Sequence, residues 1–83
     1  MKLTQAEMLN LITKARQVQA EVNTDPRAKY RLGQAIFNLL PKEIAYDIYE
    51  GNVEDFFFWR DSPENEAKIL EILFSNYVLE EAV

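Results

Sequence analysis

The chain has 83 residues, which is enough for one hydrophobic core but too few for two independent ones. It contains no cysteine and no histidine, which excludes disulfides, thiolate chemistry and the commonest general base and metal ligand. The net charge of −5 is unevenly divided, because residues 1–41 have six bases and three acids whereas residues 42–83 have three bases and eleven acids. We therefore expect a single domain over residues 1–83, with charge polarised along the chain.

The first predicted helix runs from about Gln5 to Val22. Thr4 and Glu7 have the spacing of a capping box, in which the hydroxyl accepts from the third amide of the helix and the carboxylate accepts from the capping residue. Apolar residues then recur at spacings of three and four as far as Val22, which is typical of an amphipathic helix.

The second predicted helix runs from about Pro26 to Leu39. Proline suits a first helical turn, and Pro41 ends the helix because the residue before proline avoids the α region. Gly33 then lies in mid-helix, where glycine costs about 1 kcal/mol relative to alanine. It marks either a close approach of another backbone or a tolerated weak position.

The second half of the chain predicts two further helices. Pro41 begins a short helix that ends at Tyr49 before Gly51, and residues 52–55 have the pattern of another short helical turn. The last helix runs from Pro63 to about Glu80, with Ser62 as its N-cap. No segment alternates with a period of two, so the predicted fold is an all-α small helical bundle, with two long outer helices and short helices between them.

The sequence favours a protein without catalytic activity. Ser62 and Ser75 are its only serines, and neither belongs to a motif that supplies a lysine base. Glycine-rich phosphate loops are also missing. We predict no catalytic residue, no cofactor and no metal site.

The run Phe56-Phe57-Phe58-Trp59 is the most unusual local feature. Four consecutive rings point around most of a helix, and on an extended segment they divide between two faces. One interpretation places most of them in the core between helices. The other leaves Phe57 or Trp59 exposed as an anchor for a protein partner, since exposed aromatics beside charge are typical of interface hot spots.

A polar face of the second helix is the other candidate contact surface. Arg31, Gln34 and Asn38 are three and four residues apart, and Arg27 lies four residues before Arg31. Guanidinium and amide groups can read base edges in a major groove, and they are also ordinary groups of a helix surface. A pI near 4.6 argues against nucleic acid, because phosphate contacts dominate the affinity for DNA. The acidic second half allows the opposite interpretation, a DNA mimic.

The segment Tyr30–Pro41, followed by Asp55-Phe56-Phe57-Phe58, resembles small uncharacterised helical proteins encoded by bacteriophages and prophages. The resemblance covers about residues 30–75. It implies a small accessory protein of a mobile element, which acts in the host-cell cytoplasm by binding a host or phage protein.

These observations predict a non-enzymatic protein–protein interaction module. Its predicted contact residues are Arg31, Gln34, Asn38, Phe57 and Trp59. A DNA-binding or DNA-mimicking regulator and a structural homo-oligomer are the alternatives. We expect no association with a membrane, because no apolar run approaches the roughly 20 residues that span a bilayer and the N-terminus is too polar for a signal peptide. The predicted compartment is the cytoplasm.

Overall fold

The computed structural model of the chain describes residues 1–79. Four helices follow one another in it: α1 (Gln5–Val22), α2 (Leu32–Leu39), α3 (Lys42–Tyr49) and α4 (Pro63–Asn76). Within residues 1–79 the only β pairing is one isolated bridge. The prediction of an all-α protein with two longer helices on either side of two short ones is confirmed.

Helix α1 has the predicted bounds, and its capping box is formed. The amide of Glu7 donates to the Thr4 hydroxyl at 3.1 Å, and the amide of Thr4 donates to the Glu7 carboxylate at 3.0 Å. Both amides lie at the helix start, where no backbone carbonyl is available to them. Met8, Ile12 and Ala15 form its buried face, which packs mainly against α2.

Helix α2 is shorter than predicted, because it begins at Leu32 rather than at Pro26. The side chain of Asn23 accepts from the amide of Tyr30 at 2.8 Å and donates to the carbonyl of Tyr30 at 2.9 Å. These bonds satisfy Tyr30 outside any helix, and such local pairing competes with helix formation. Arg27 and Arg31 therefore do not share a helix face, since Arg27 lies in the non-helical segment between α1 and α2 and Arg31 is the N-cap of α2.

Helix α3 begins one residue after Pro41, which is its N-cap. Gly51 follows its C-terminus with a φ of 87°, a conformation that glycine adopts without a Cβ clash. No helical turn forms after it at residues 52–55. Residues 50–62, which we call the central loop, contain one turn at Glu50 and Gly51 and another at Phe57 and Phe58, and are otherwise irregular.

The last helix ends at Asn76 rather than at Glu80, and Glu80 lies outside the described residues. Instead of continuing the helix, the backbone pairs with the N-terminal segment. The amide of Leu3 donates to the carbonyl of Tyr77 at 2.8 Å, and the amide of Leu79 donates to the carbonyl of Leu3 at 2.9 Å. Because Leu3 and Val78 are both buried, this pairing also closes one end of the core.

One cluster of apolar side chains forms the core of the described chain. Its buried members are Leu3, Met8, Ile12, Ala15, Leu32, Ala35, Ile36, Leu40, Ile44, Ile48, Phe56, Ile69, Leu73, Tyr77 and Val78. Phe56 is the largest fully buried side chain and comes from the central loop.

The backbone of Phe56 lies directly against Gly33, in the first turn of α2. A Cβ added to Gly33 would lie 2.4 Å from the carbonyl oxygen of Phe56, a separation shorter than any van der Waals contact. Of the two interpretations of Gly33, the structure therefore supports the close approach of another backbone.

A buried tyrosine joins α4 to α3. The hydroxyl of Tyr77 donates to the carboxylate of Asp47 at 2.6 Å, and the side chain of Asn52 donates to the other carboxylate oxygen. The hydrogen bond from Tyr77, and to a smaller extent that from Asn52, holds the pKa of Asp47 below its usual range. Burial, followed by the bond to Asp47, raises the pKa of the Tyr77 hydroxyl.

We predict that Gly33→Ala destabilises the protein, although alanine is the better helix former. Helix propensity alone predicts a gain of up to about 1 kcal/mol, whereas overpacking against a backbone carbonyl costs about 1–3 kcal/mol. Urea unfolding followed by circular dichroism measures the difference. Ser75→Ala, at an exposed position of α4, is the control and leaves stability unchanged or slightly raised. A Gly33→Ala protein more stable than the wild type would contradict the close approach.

We also predict that Tyr77→Phe lowers the free energy of unfolding at pH 7 and that this loss narrows in acid. Because the folded-state pKa of Asp47 is depressed, its bonds stabilise the fold above its ordinary pKa of 3.8 and this contribution disappears as the pH falls through the lowered pKa. Urea midpoints of both proteins between pH 2 and pH 7 test this. Tyr46→Phe removes an exposed hydroxyl and should leave the midpoint unchanged. An equal loss from Tyr77→Phe at every pH contradicts the linkage.

Candidate functional site

The four-ring run lies in the central loop, and its rings divide between core and surface. Phe56 is fully buried, Phe57 and Trp59 are partly buried, and Phe58 is 71% exposed. The amide of Trp59 donates to the carbonyl of Phe56 at 3.1 Å, which closes the turn between them. Of these four rings Phe58 is the most exposed, whereas the interpretation with exposed rings had placed Phe57 or Trp59 at the surface.

Trp59 belongs with the core rather than with the open surface. It packs against the buried cluster, and its ring lies edge-on to that of Phe56 at a centroid distance of 6.4 Å. Phe57 faces the other way along the loop, where its ring meets Phe37 of α2 edge-to-face at 5.3 Å. Of the two predicted aromatic contacts, Phe57 therefore lies beside the exposed rings and Trp59 lies against the core.

Five rings from three parts of the chain form one aromatic patch: Phe37, Tyr46, Tyr49, Phe57 and Phe58. Tyr46 is 62% exposed, Tyr49 is 75% exposed, and their centroids lie 6.3 Å apart on α3. Phe58 extends the patch from Phe57 at 4.9 Å. Exposed rings are thus concentrated on one face, where α2, α3 and the central loop meet.

Two adjoining cavities open along the aromatic patch, and they share the side chains of Phe37 and Tyr49. The first has a volume of about 230 Å³, and Phe57, Phe58 and Asp55 complete its lining. We call it the ring cavity. The second has a volume of about 310 Å³ and is completed by Lys42, Ala45 and Tyr46. Together they form an open apolar groove with charged groups at its margins.

Asp55 sets the shape of the loop that carries two of these rings. Its Oδ1 accepts from the amide of Phe57 at 2.9 Å, which is the pattern of an Asx turn. The carboxylate therefore stays beside the rings at the wall of the ring cavity. Asp55 makes no ion pair with any residue of the described range 1–79.

The predicted polar face of α2 lies outside both cavities. The side chain of Gln34 accepts from the amide of Arg31 at 3.0 Å, which satisfies the start of α2. Asn38 is exposed and donates to the hydroxyl of Tyr30 at 2.7 Å. Both amide side chains thus make local hydrogen bonds, and the structure does not bring Arg31, Gln34 and Asn38 together with the aromatic patch.

The contribution of α3 to the patch was not predicted from the sequence. Tyr46 and Tyr49 are three residues apart and lie off the buried face formed by Ile44 and Ile48. Two aromatic residues on the polar side of an amphipathic helix were the available signal. Phe37 was harder to place, because it lies between residues of the α2 core stripe.

Residues 1–79 contain no group of three or more aspartate, glutamate, histidine or cysteine side chains that is placed to hold a metal ion. None of the helices there combines the length and the apolar composition needed to cross a bilayer.

Comparisons of the chain with protein families, curated proteins and solved structures found no match.

We predict that the same substitution has a large effect on stability at one position of the central loop and almost none at another. Phe56→Ala removes a fully buried ring and costs about 3–5 kcal/mol, which is comparable with the whole stability of a domain of this size. Phe58→Ala removes an exposed ring and changes stability by about 0.5 kcal/mol or less. Thermal and urea unfolding measure both. Equal destabilisation by the two variants would show that the rings are not divided in this way.

Proposed function

We propose that this protein acts without catalysis, as an accessory module that binds another protein through the aromatic patch. The observation that carries the proposal is the exposure of Tyr46, Tyr49 and Phe58 on one continuous face. Rings left in water forfeit the free energy of burial, about 25 cal/mol per Å². Large contiguous apolar patches of this kind mark interaction surfaces.

The composition of the patch is that of an interface. Tyrosine and phenylalanine are enriched where proteins meet, and the strongest contacts are aromatic anchors in a groove with a polar rim. Here the groove runs between α3 and the central loop, with Lys42 and Asp55 at its two ends. The ring of Phe57 packs edge-to-face on Phe37 and is held in place, so a partner would not have to order it.

A role in a bacteriophage or prophage is part of this proposal. The resemblance of residues 30–75 to small phage-encoded proteins supports it. We place its action in the cytoplasm of the host cell, with a host or phage protein as the partner.

The local bonds of α2 favour a protein partner over DNA. A side chain that reads a base edge must offer its donors and acceptors to the groove. The oxygen of Gln34 and the amino group of Asn38 already have partners within the protein. The chain is also acidic, which opposes binding to phosphates.

We predict that capture of the partner depends on the patch. Tagged wild-type protein, incubated with nuclease-treated bacterial lysate, retains a stoichiometric protein that mass spectrometry identifies. Phe58→Ala and Tyr49→Ala each weaken the purified complex at least about tenfold, because each removes an anchor ring. The control is Leu9→Ala, which removes an exposed apolar side chain from α1 and leaves the affinity unchanged.

Three results would contradict this function. A complex that forms in untreated lysate and is lost after nuclease treatment indicates binding to nucleic acid. A complex that tolerates Phe58→Ala and Tyr49→Ala forms on another surface. Recovery of the tagged chain with copies of itself alone, confirmed by sedimentation, indicates a structural homo-oligomer.

A further inference from the structure

We propose that the ring cavity binds an arginine side chain of the partner, with Asp55 as its counter-ion. This inference rests on the proposed function and adds the chemistry of the contact. Four aromatic residues and Asp55 line this cavity of about 230 Å³, and the carboxylate of Asp55 is held at its margin by the amide of Phe57.

The rings stand at large angles to one another. Phe37 and Phe57 meet at 82°, and Phe57 and Phe58 meet at 75°. Tyr49, on α3, completes the enclosure. Rings arranged in this way surround a space on several sides, as in the aromatic cages that bind cationic side chains. A cation within about 6 Å of a ring centroid is attracted to the face of the ring, and the attraction becomes stronger as water is excluded.

The carboxylate of Asp55 gives the margin of the ring cavity a negative charge. Oδ1 of Asp55 is held by the amide of Phe57, and its second oxygen accepts no hydrogen bond from the described residues 1–79. Lys42 lines the adjoining cavity rather than this one. The surrounding segment, residues 42–58, contains five acids and a single base. A cation therefore complements both the lining and its surroundings.

An apolar side chain fits the same space less well. It would cover the rings but would also shield the Asp55 carboxylate from water without placing an opposite charge beside it, which is unfavourable. A cationic side chain covers the rings and pairs the carboxylate at the same time.

Arginine meets these requirements better than lysine. Its guanidinium is planar, stacks on ring faces and is less strongly hydrated than an ammonium group, and it offers parallel donors to a carboxylate. Lysine offers a more strongly hydrated point charge. The predicted occupant is thus an exposed arginine on the partner.

A matched set of short peptides tests the inference on the full chain. Acetyl-Gly-Arg-Gly-amide is titrated into the protein and followed by the aromatic ¹H–¹³C NMR signals. Citrulline has nearly the same shape as arginine without its charge, so acetyl-Gly-citrulline-Gly-amide is the control peptide. We expect the arginine peptide to shift the Tyr49, Phe57 and Phe58 signals and to bind at least about fivefold more tightly than the citrulline, lysine or leucine peptides.

Two neighbouring carboxylates provide the matched protein variants. Asp55→Asn keeps an oxygen that accepts from the Phe57 amide but removes the charge, and it should weaken the arginine peptide at least about fivefold. Glu54→Gln removes the adjacent charge, which faces a different depression beside α4, and should leave binding unchanged. Equal binding of the arginine and citrulline peptides, or equal effects of the two variants, would overturn the assignment. So would tighter binding of leucine or lysine, or occupation of the ring cavity by a second copy of the chain.

The captured complex separates failure of this inference from failure of the proposed function. If Phe58→Ala disrupts the complex and Asp55→Asn does not, the patch binds the partner through apolar contacts and the arginine assignment is wrong. If neither variant weakens the complex, both proposals are wrong. Loss of affinity with both variants, and with substitution of an interfacial arginine of the partner, supports both.

Discussion

The carbonyl of Phe56 lies against the first turn of α2, at a position where any side chain larger than that of glycine would meet it. Because Gly33 has no Cβ, the central loop approaches α2 closely enough for the Phe56 ring to enter the core. A second bond fastens the same loop to the same turn, since the Asp61 carboxylate accepts from the amide of Leu32 at 2.9 Å. A carboxylate at this position also complements the positive end of the helix dipole. The loop is thus attached to α2 both before and after its turn.

This attachment explains why the rings that follow Phe56 lie where they do. Once Phe56 is committed to the core and the Asp55 side chain has accepted from the amide of Phe57, the short turn directs Phe58 outward. Phe57 then meets Phe37, and the exposed tyrosines of α3 lie alongside. Core packing therefore explains where the aromatic patch lies, but it does not explain why the exposed positions are aromatic. Polar residues at those positions would be compatible with the same fold, so the exposed rings are consistent with the proposed binding surface.

Local signals were sufficient for much of the fold. The capping box of Thr4 and Glu7 located the start of α1 because that signal lies within four residues. The start of α2 was predicted wrongly, because the bonds between Asn23 and Tyr30 join positions seven residues apart. The role of Gly33 was left open for a similar reason, since its neighbour Phe56 is distant in sequence. The patch combines three elements, and periodicity alone does not reveal which of their faces meet.

The central claim is that one buried phenylalanine holds a set of exposed rings in place. Measuring the solvent exposure of each ring is its most direct test. A soluble paramagnetic probe, added to the isotope-labelled protein, attenuates aromatic NMR signals according to their access to solvent. We expect strong attenuation for Phe58, Tyr46 and Tyr49, intermediate attenuation for Phe57 and Trp59, and protection of Phe56. Strong attenuation of Phe56, or protection of Phe58 together with Tyr49 in the isolated monomer, would contradict the account.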